Sequence, residues 1–347
     1  MFEIDFTFNE LVELESGEVL DEMRLRCTIY GRLNADKSNA VLVFHALTGS
    51  SRIGDWWNGM IGENEVLDTS ELAFVCVNYL GSCYGSTSAR SIKRRRRCGL
   101  PIVTTGDIVR ANALLFDRLG IQKFRAVIGG SVGGMLALRF AVDFPDSSDE
   151  IISIAAAPLS AMGLALNHIQ RHAIGRNDIG LARKIAMLSY KSPRRFTERF
   201  GREPNRNGED PYARRSDRFD VAGYLDHHGE AFRERFEIES YDLITKAMDL
   251  FEVTDEDIDL IRAKVSLIGI SSDWLFPATD VAALCRRLNI GGVDARYYEI
   301  ESDDGHDAFL SDIEATSGVL RMILGTAVPQ KQIVRETKRT PAFAGSY

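Results

Sequence analysis

One stretch, Val127-Ile128-Gly129-Gly130-Ser131-Val132-Gly133-Gly134-Met135, constrains the fold of this chain more than any other. It opens as a short apolar run of β character and passes into the helical pattern Met135-Leu136-Ala137-Leu138-Arg139-Phe140. Between the two lies Gly-x-Ser-x-Gly, a strand-to-helix turn tight enough to hold a serine hydroxyl clear of its neighbours. Glycine on both sides lets the backbone pass close to itself. The N–H of Val132, at the start of the helix, then faces the same space as the Ser131 hydroxyl and forms half of an oxyanion hole. A glycine-rich packing turn carries the same string, so the rest of the chain has to decide between a turn and a nucleophile.

Continuous apolar runs at Ala40–Phe44 and Ala73–Asn78 predict buried parallel strands. Further strands are predicted at Phe124–Gly130, Ile151–Ala156, Val265–Ile270 and Ala295–Ile300, and residues 1–34 alternate as an antiparallel edge hairpin does. An amphipathic helix fits Asp107–Leu119, with Ile108, Ala111, Leu114, Leu115 and Leu119 on one face. Strand and helix alternate, so the predicted class is α/β, a mostly parallel sheet with helices on both faces. From Ser160 to Met248 the strands stop. Charged helical segments such as Ile179–Tyr190 and Gly229–Phe236 take over, with a loop at Arg202–Asp210. The expected division is a catalytic sheet domain at 1–159 and 249–326, a helical cap at 160–248 over the ligand-binding edge of the sheet, and a loosely held tail at 327–347.

The strand at 40–44 ends in His45-Ala46-Leu47-Thr48-Gly49, where an α/β-hydrolase places its second oxyanion donor; here that is the N–H of Leu47. His45 closes a strand and reads as a structural hydrogen-bonder in preference to a base. Two late strands run into Ser271-Ser272-Asp273 and Asp303-Asp304-Gly305-His306-Asp307. Ser131, Asp273 and His306 therefore follow the order nucleophile, acid, histidine, each at a strand end. A serine hydroxyl is a poor nucleophile until an imidazole takes its proton, and the acid holds that imidazole in the correct tautomer. Asp303 and Asp304 stay open as alternative acids, and a helix-capping role competes for Asp273.

A net charge of −8 argues against general nucleic-acid binding, and no apolar run approaches the ~20 residues of a bilayer span. Five scattered cysteines without a C-x-x-C pair suit a reducing compartment and supply no metal-ligand spacing. The start, Met1-Phe2-Glu3-Ile4-Asp5, lacks the basic and apolar regions of a signal peptide. The expectation is a cytoplasmic protein that binds neither nucleic acid nor membrane, with no metal. Lys93-Arg94-Arg95-Arg96-Arg97 is either a solvated loop or a landing site for the phosphates of an anionic cofactor.

With these residues placed, the chain resembles the homoserine O-acetyltransferase family of α/β-hydrolase-fold acyltransferases. The likeness rests on Phe44–Gly49, Asn78–Thr87, Val127–Met135, Arg183–Tyr190, Arg233–Tyr241 and Gly305–Leu310, several of them in the cap. It implies a ping-pong transfer from acetyl-CoA to the hydroxyl of L-homoserine, in methionine biosynthesis, with acetyl-CoA as co-substrate and no permanently bound cofactor. It implies substrate-binding roles for Arg183 and Tyr190 on one cap helix, for Asp307 beside the histidine, and for Thr48. A zwitterionic acceptor needs one cation and one anion, which Arg183 and Asp307 would supply. It also implies a homodimer paired through the cap. Another acceptor such as L-serine, a succinyl-CoA donor, or water as in a carboxylesterase are the alternatives. Two stretches depart from the family pattern. The tryptophan- and glycine-containing segment before the Arg183 helix is missing or much shortened, and Ser88-Ala89-Arg90 stands where a Gly-Pro pair is usual.

Overall fold

The computed structural model describes residues 1–95 and 99–325. The expected tail at 327–347, and Arg96 and Arg97 of the basic run, lie outside the described residues. Eight strands make one sheet: β1 (Phe2–Phe8), β2 (Met23–Tyr30), β3 (Ala40–Phe44), β4 (Ala73–Val77), β5 (Ala126–Gly130), β6 (Glu150–Ile154), β7 (Lys264–Ile270) and β8 (Ala295–Ile300). Their order is β1-β2-β4-β3-β5-β6-β7-β8. β2 runs antiparallel to β1 and β4, and every other pairing is parallel. β3, β4 and β5 are buried at every position, because helices cover both faces of the parallel part. β1, at the open edge, alternates instead. The link from β1 to β2 carries a small ribbon of its own, Val12–Glu13 paired with Val19–Leu20.

Alternate residues of each strand feed two apolar clusters, one on each face: Leu42, Phe44 and Val127 belong to the first, Val41, Val43 and Ile128 to the second. The order matters for the site. The chain passes from β3 outward to β4, then returns to place β5 on the other side of β3, so β3 and β5 are neighbours with Phe44 level with Gly129. Such a reversal opens a crevice at the carboxyl ends of the strands. β7 and β8 are neighbours too, with Ile270 level with Ile300.

α1 (Thr105–Leu119) begins at a capping box between Thr104 and Asp107 and stops at left-handed Gly120. α2 (Val132–Asp143) follows β5 directly. Between β6 and β7 come α3 (Ala161–Gly175), α4 (Ile179–Tyr190), α5 (Pro193–Phe200), α6 (Asp220–Arg235) and α7 (Ile238–Asp249). Among the described residues of this block, the only β pairing is a single bridge between Pro204 and Phe219. Only Arg176-Asn177-Asp178 joins α3 to α4.

α6 starts at Asp220, well before the Gly229 start that the sequence suggests. Gly223 and Gly229 interrupt the apolar pattern and look like breakers, yet both sit inside the helix. A Cβ at Gly229 would come within 3.0 Å of the Gly180 carbonyl, so the glycine lets α4 and α6 cross closely. α8 (Ala278–Ile290) and α9 (Ile313–Leu324) complete the layers over the sheet. No helix among the described residues is long and apolar enough to cross a membrane.

Candidate active site

The turn between β5 and α2 is as tight as its glycines imply. A Cβ at Gly129 would lie 2.0 Å from the Gly133 carbonyl oxygen, and one at Gly133 would lie 2.3 Å from that of Phe44. The first turn of α2 is thus pressed onto the ends of β3 and β5, and Ser131 at its apex takes φ 58° and ψ −127°. A side chain held there costs on the order of 1–3 kcal/mol. Three backbone bonds hold it in place: Ser131 N–H donates to Ile154 O, and Gly134 and Met135 N–H donate to Ser131 O.

Two further loops meet it. Ser271 and Ser272, after β7, are sewn to the loop after β8: Ser272 Oγ donates to Ser302 O, and Gly305 N–H donates to Ser272 Oγ. This brings Asp273 and His306 together. His306 Nδ1 donates to Asp273 Oδ2 at 2.6 Å, and Ser131 Oγ donates to His306 Nε2 at 2.9 Å. The tautomer follows because a carboxylate only accepts. Asp273 Oδ1 accepts from the N–H groups of Leu275 and Phe276, at 2.8 and 3.0 Å. The capping and partnering roles that compete in the sequence are therefore both filled, one by each oxygen. Asp303 and Asp304 point elsewhere and pair with Arg194 and Arg195 of α5. The His306 ring is enclosed by Tyr190, Phe276 and Phe309. Burial disfavours its charged form, but the Asp273 charge and hydrogen bond outweigh burial and hold its pKa above the ordinary 6.5.

The turn after β3 supplies the other wall. Ala46 O accepts from Gly49 N–H at 2.9 Å and from His45 Nδ1 at 2.8 Å. A trans peptide directs its N–H opposite its carbonyl, so the Leu47 N–H is turned away from these donors. Among the described residues, no protein acceptor takes the N–H of Leu47 or of Val132. His45 is fully buried against the Tyr79 ring, 3.7 Å between centroids, and burial pulls its pKa down to about 4. It is a neutral strut beneath the turn, as its strand-end position suggests.

A cavity of about 420 Å³ opens here, lined by Leu47, Thr48, Ser131, Arg183, Tyr190, His306 and Asp307 among others. Asp273 stands behind His306, outside the lining. The Arg183 guanidinium lies 5.3 Å from the Tyr190 ring centre and 5.0 Å from that of Phe232. Asp307 Oδ2 lies 3.2 Å from Lys191 Nζ. Sequence reasoning assigns nothing to Arg235 and Tyr84, yet both line the cavity and bond one another at 2.6 Å. The one available signal is spacing: Arg235 and Phe232 are three apart and share a helix face. Among the described residues, no carboxylate pairs with Arg183 or Arg235.

The basic run lies elsewhere. Lys93 pairs with Glu239 at 3.7 Å and Arg95 with Glu22 at 3.4 Å, and neither lines the cavity. Two of its three described cations, Lys93 and Arg95, already face carboxylates, which weakens any role as a phosphate landing site. Among the described residues, no group of three His, Cys, Asp or Glu side chains is placed to hold a metal ion. The arrangement is suited to moving a proton from a serine hydroxyl to an imidazole while two N–H groups receive a developing oxyanion.

Residues 39–313 match the family model described as the alpha/beta hydrolase fold. The homoserine O-acetyltransferase of Geotalea daltonii is 34% identical, over 94% of this chain and 98% of that one. Among solved structures, the homoserine O-acetyltransferase of Bacillus anthracis superposes with a TM-score of 0.83 at 22% identity, covering 94% of this chain and 98% of that chain. Esterase E22 superposes with a TM-score of 0.82 at 19% identity, covering 93% and 100%. At those identities the two structures bear on the fold alone, whereas the sequence match runs nearly end to end. This chain is an enzyme of the α/β-hydrolase fold and belongs to the homoserine O-acetyltransferase family.

Proposed function

We propose that this enzyme moves an acetyl group from acetyl-CoA to the side-chain hydroxyl of L-homoserine, by a ping-pong route that serves methionine biosynthesis. The observation that carries this reading is that one cavity joins the hydrogen-bonded line Ser131–His306–Asp273 to a guanidinium without a carboxylate partner, Arg183, and to the carboxylate of Asp307. In the first half-reaction His306 Nε2 takes the proton of Ser131 as its Oγ attacks the thioester carbonyl. The oxyanion accepts from the N–H groups of Leu47 and Val132. Collapse expels the CoA thiolate, which His306 protonates. In the second half-reaction His306 deprotonates the homoserine hydroxyl, which attacks the acyl carbon. The second collapse releases Ser131, which regains its proton from His306.

Arg183 takes the substrate carboxylate, with Tyr190 and Thr48 beside it. Lys191 holds Oδ2 of Asp307, leaving Oδ1 for the ammonium. The helical block over the sheet keeps competing water out. The enzyme acts in the cytoplasm and holds no resident cofactor. Met162, Leu164, Ile169, Leu181 and Leu188, exposed on α3 and α4, support a homodimer through the cap, which would double the mass in solution.

Thiol release tests the reading. Acetyl-CoA is supplied with L-homoserine, L-serine or no acceptor, and Ser131→Ala serves as the blank. The expected result is CoA release that requires homoserine and is absent in the variant. Release without any acceptor would make the enzyme a hydrolase, and release only from succinyl-CoA would change the donor. The same assay run against pH has a signed expectation. Neutral His306 is the working base and its pKa is raised, so kcat/KM falls as the pH drops through a value above 6.5. An acid limb below 6.5 would contradict the pairing with Asp273.

A further inference from the structure

Arg235 is the last residue of α6, and its side chain leaves the helical block to reach the turn after β3. Its Nη1 donates to the Thr48 carbonyl at 3.1 Å and to the Tyr84 hydroxyl at 2.6 Å. Its guanidinium also lies 5.1 Å from the Phe232 ring centre, on the same helix. Thr48 is the second central residue of the turn that Gly49 N–H and Ala46 O close, and Leu47 is the first. The turn is therefore held at both ends. His45 and Gly49 anchor the Ala46 carbonyl from the protein side, and Arg235 anchors the Thr48 carbonyl from the cavity side. Arg235 sets the Thr48–Gly49 peptide plane and so keeps the Gly49 N–H on Ala46 O, and the Ala46 carbonyl in turn fixes the opposite direction of the Leu47 N–H.

We infer that Arg235 is a positioning residue for the Leu47 N–H, so that a helix inserted between β6 and β7 sets one half of the oxyanion hole. This rests on the acyl-transfer role given to Ser131 above. The two halves of the hole have different supports. Val132 is fixed by the elbow, whose glycines leave it no freedom, whereas the Leu47 turn has a free side that only a cavity-facing group can brace. A guanidinium suits that task, since a planar fork binds two acceptors without rearrangement. A lysine would offer a charge and a donor, but from a flexible stem.

The consequence is separable from substrate binding. A misdirected Leu47 N–H slows every step that passes through a tetrahedral oxyanion, including acylation, which occurs before any acceptor enters. A carboxylate-binding arginine would instead act on the acceptor alone. The test is stopped-flow acylation of the full-length enzyme, with acetyl-CoA and, separately, with p-nitrophenyl acetate, and no acceptor present. Arg235→Gln is expected to slow acylation by about 10–100-fold with both donors. Arg235→Lys should recover part of that loss, and the homoserine KM should stay within about threefold of wild type. Arg233→Gln is the control. Arg233 lies on the same helix but pairs with Asp178, and its acylation rate should be unchanged. Unchanged acylation in Arg235→Gln with a raised homoserine KM would overturn the inference and make Arg235 an acceptor ligand. Equal losses in Arg233→Gln would overturn it too, as general damage to α6. The p-nitrophenyl ester keeps the two proposals apart. If wild type reacts with the ester but not with acetyl-CoA, the donor is wrong, and the Arg235 effect is still read on the ester.

Discussion

Asp273→Asn is expected to lower kcat by about 10⁴-fold while leaving the fold intact. The two oxygens of Asp273 have separate duties, which makes the substitution clean. An asparagine carbonyl can still accept from Leu275 and Phe276 N–H, so the turn after β7 keeps its bonds. The amide nitrogen then faces His306 Nδ1, and two donors cannot share that contact. The imidazole is driven to the other tautomer, with its proton on Nε2, where it cannot receive the one from Ser131. The check is kcat for thiol release beside a thermal melt. A melting temperature within a few degrees of wild type, with the large loss of rate, is the expected pair. A loss under tenfold would move the acid to Asp303 or Asp304, whose present partners are Arg194 and Arg195.

Gly133→Ala is expected to destabilise the fold by about 3–5 kcal/mol, the range of severe single substitutions. Its Cβ would stand 2.3 Å from Phe44 O and 2.8 Å from His45 O, and both are backbone atoms at the end of a central strand. Neither yields without moving β3 or lifting α2 from the sheet, and either motion also carries Ser131 away from His306. Urea unfolding reads the loss. Gly318→Ala is the comparison, because a Cβ there meets nothing within 4 Å in the interior of α9. Helix propensity alone then predicts a gain of about 1 kcal/mol. A Gly133→Ala midpoint equal to wild type would mean that the close approach of α2 to β3 does not require a glycine.

The central strands are legible because burial on both faces writes an apolar run that few other structures share: Ala40–Phe44 begins and ends where its pattern does. α6 is harder to see. Its glycines serve a crossing with α4, and a tertiary contact leaves no periodic trace in a single chain. Ser131, Asp273 and His306 can be picked out because each sits where a strand ends and the chain order is informative. Their separation in sequence says nothing of a 2.6 Å bond.

Local chemistry by itself determined the alternation of strand and helix, the glycine-bounded elbow and the small set of residues from which a nucleophile, a base and an acid are drawn. Those features depend on near neighbours in the chain, so they can be read along it. The tertiary structure alone decided which aspartate meets the histidine, that His45 lies neutral beneath the turn, that Lys93 and Arg95 face carboxylates, and that Arg235 reaches the Thr48 carbonyl from 187 residues away. Each of these turns on a choice among several charged or polar partners of equal local merit. Only the packing of β7 beside β8, and of the helical block over β3 and β5, brings one of them within hydrogen-bond reach and takes the others away.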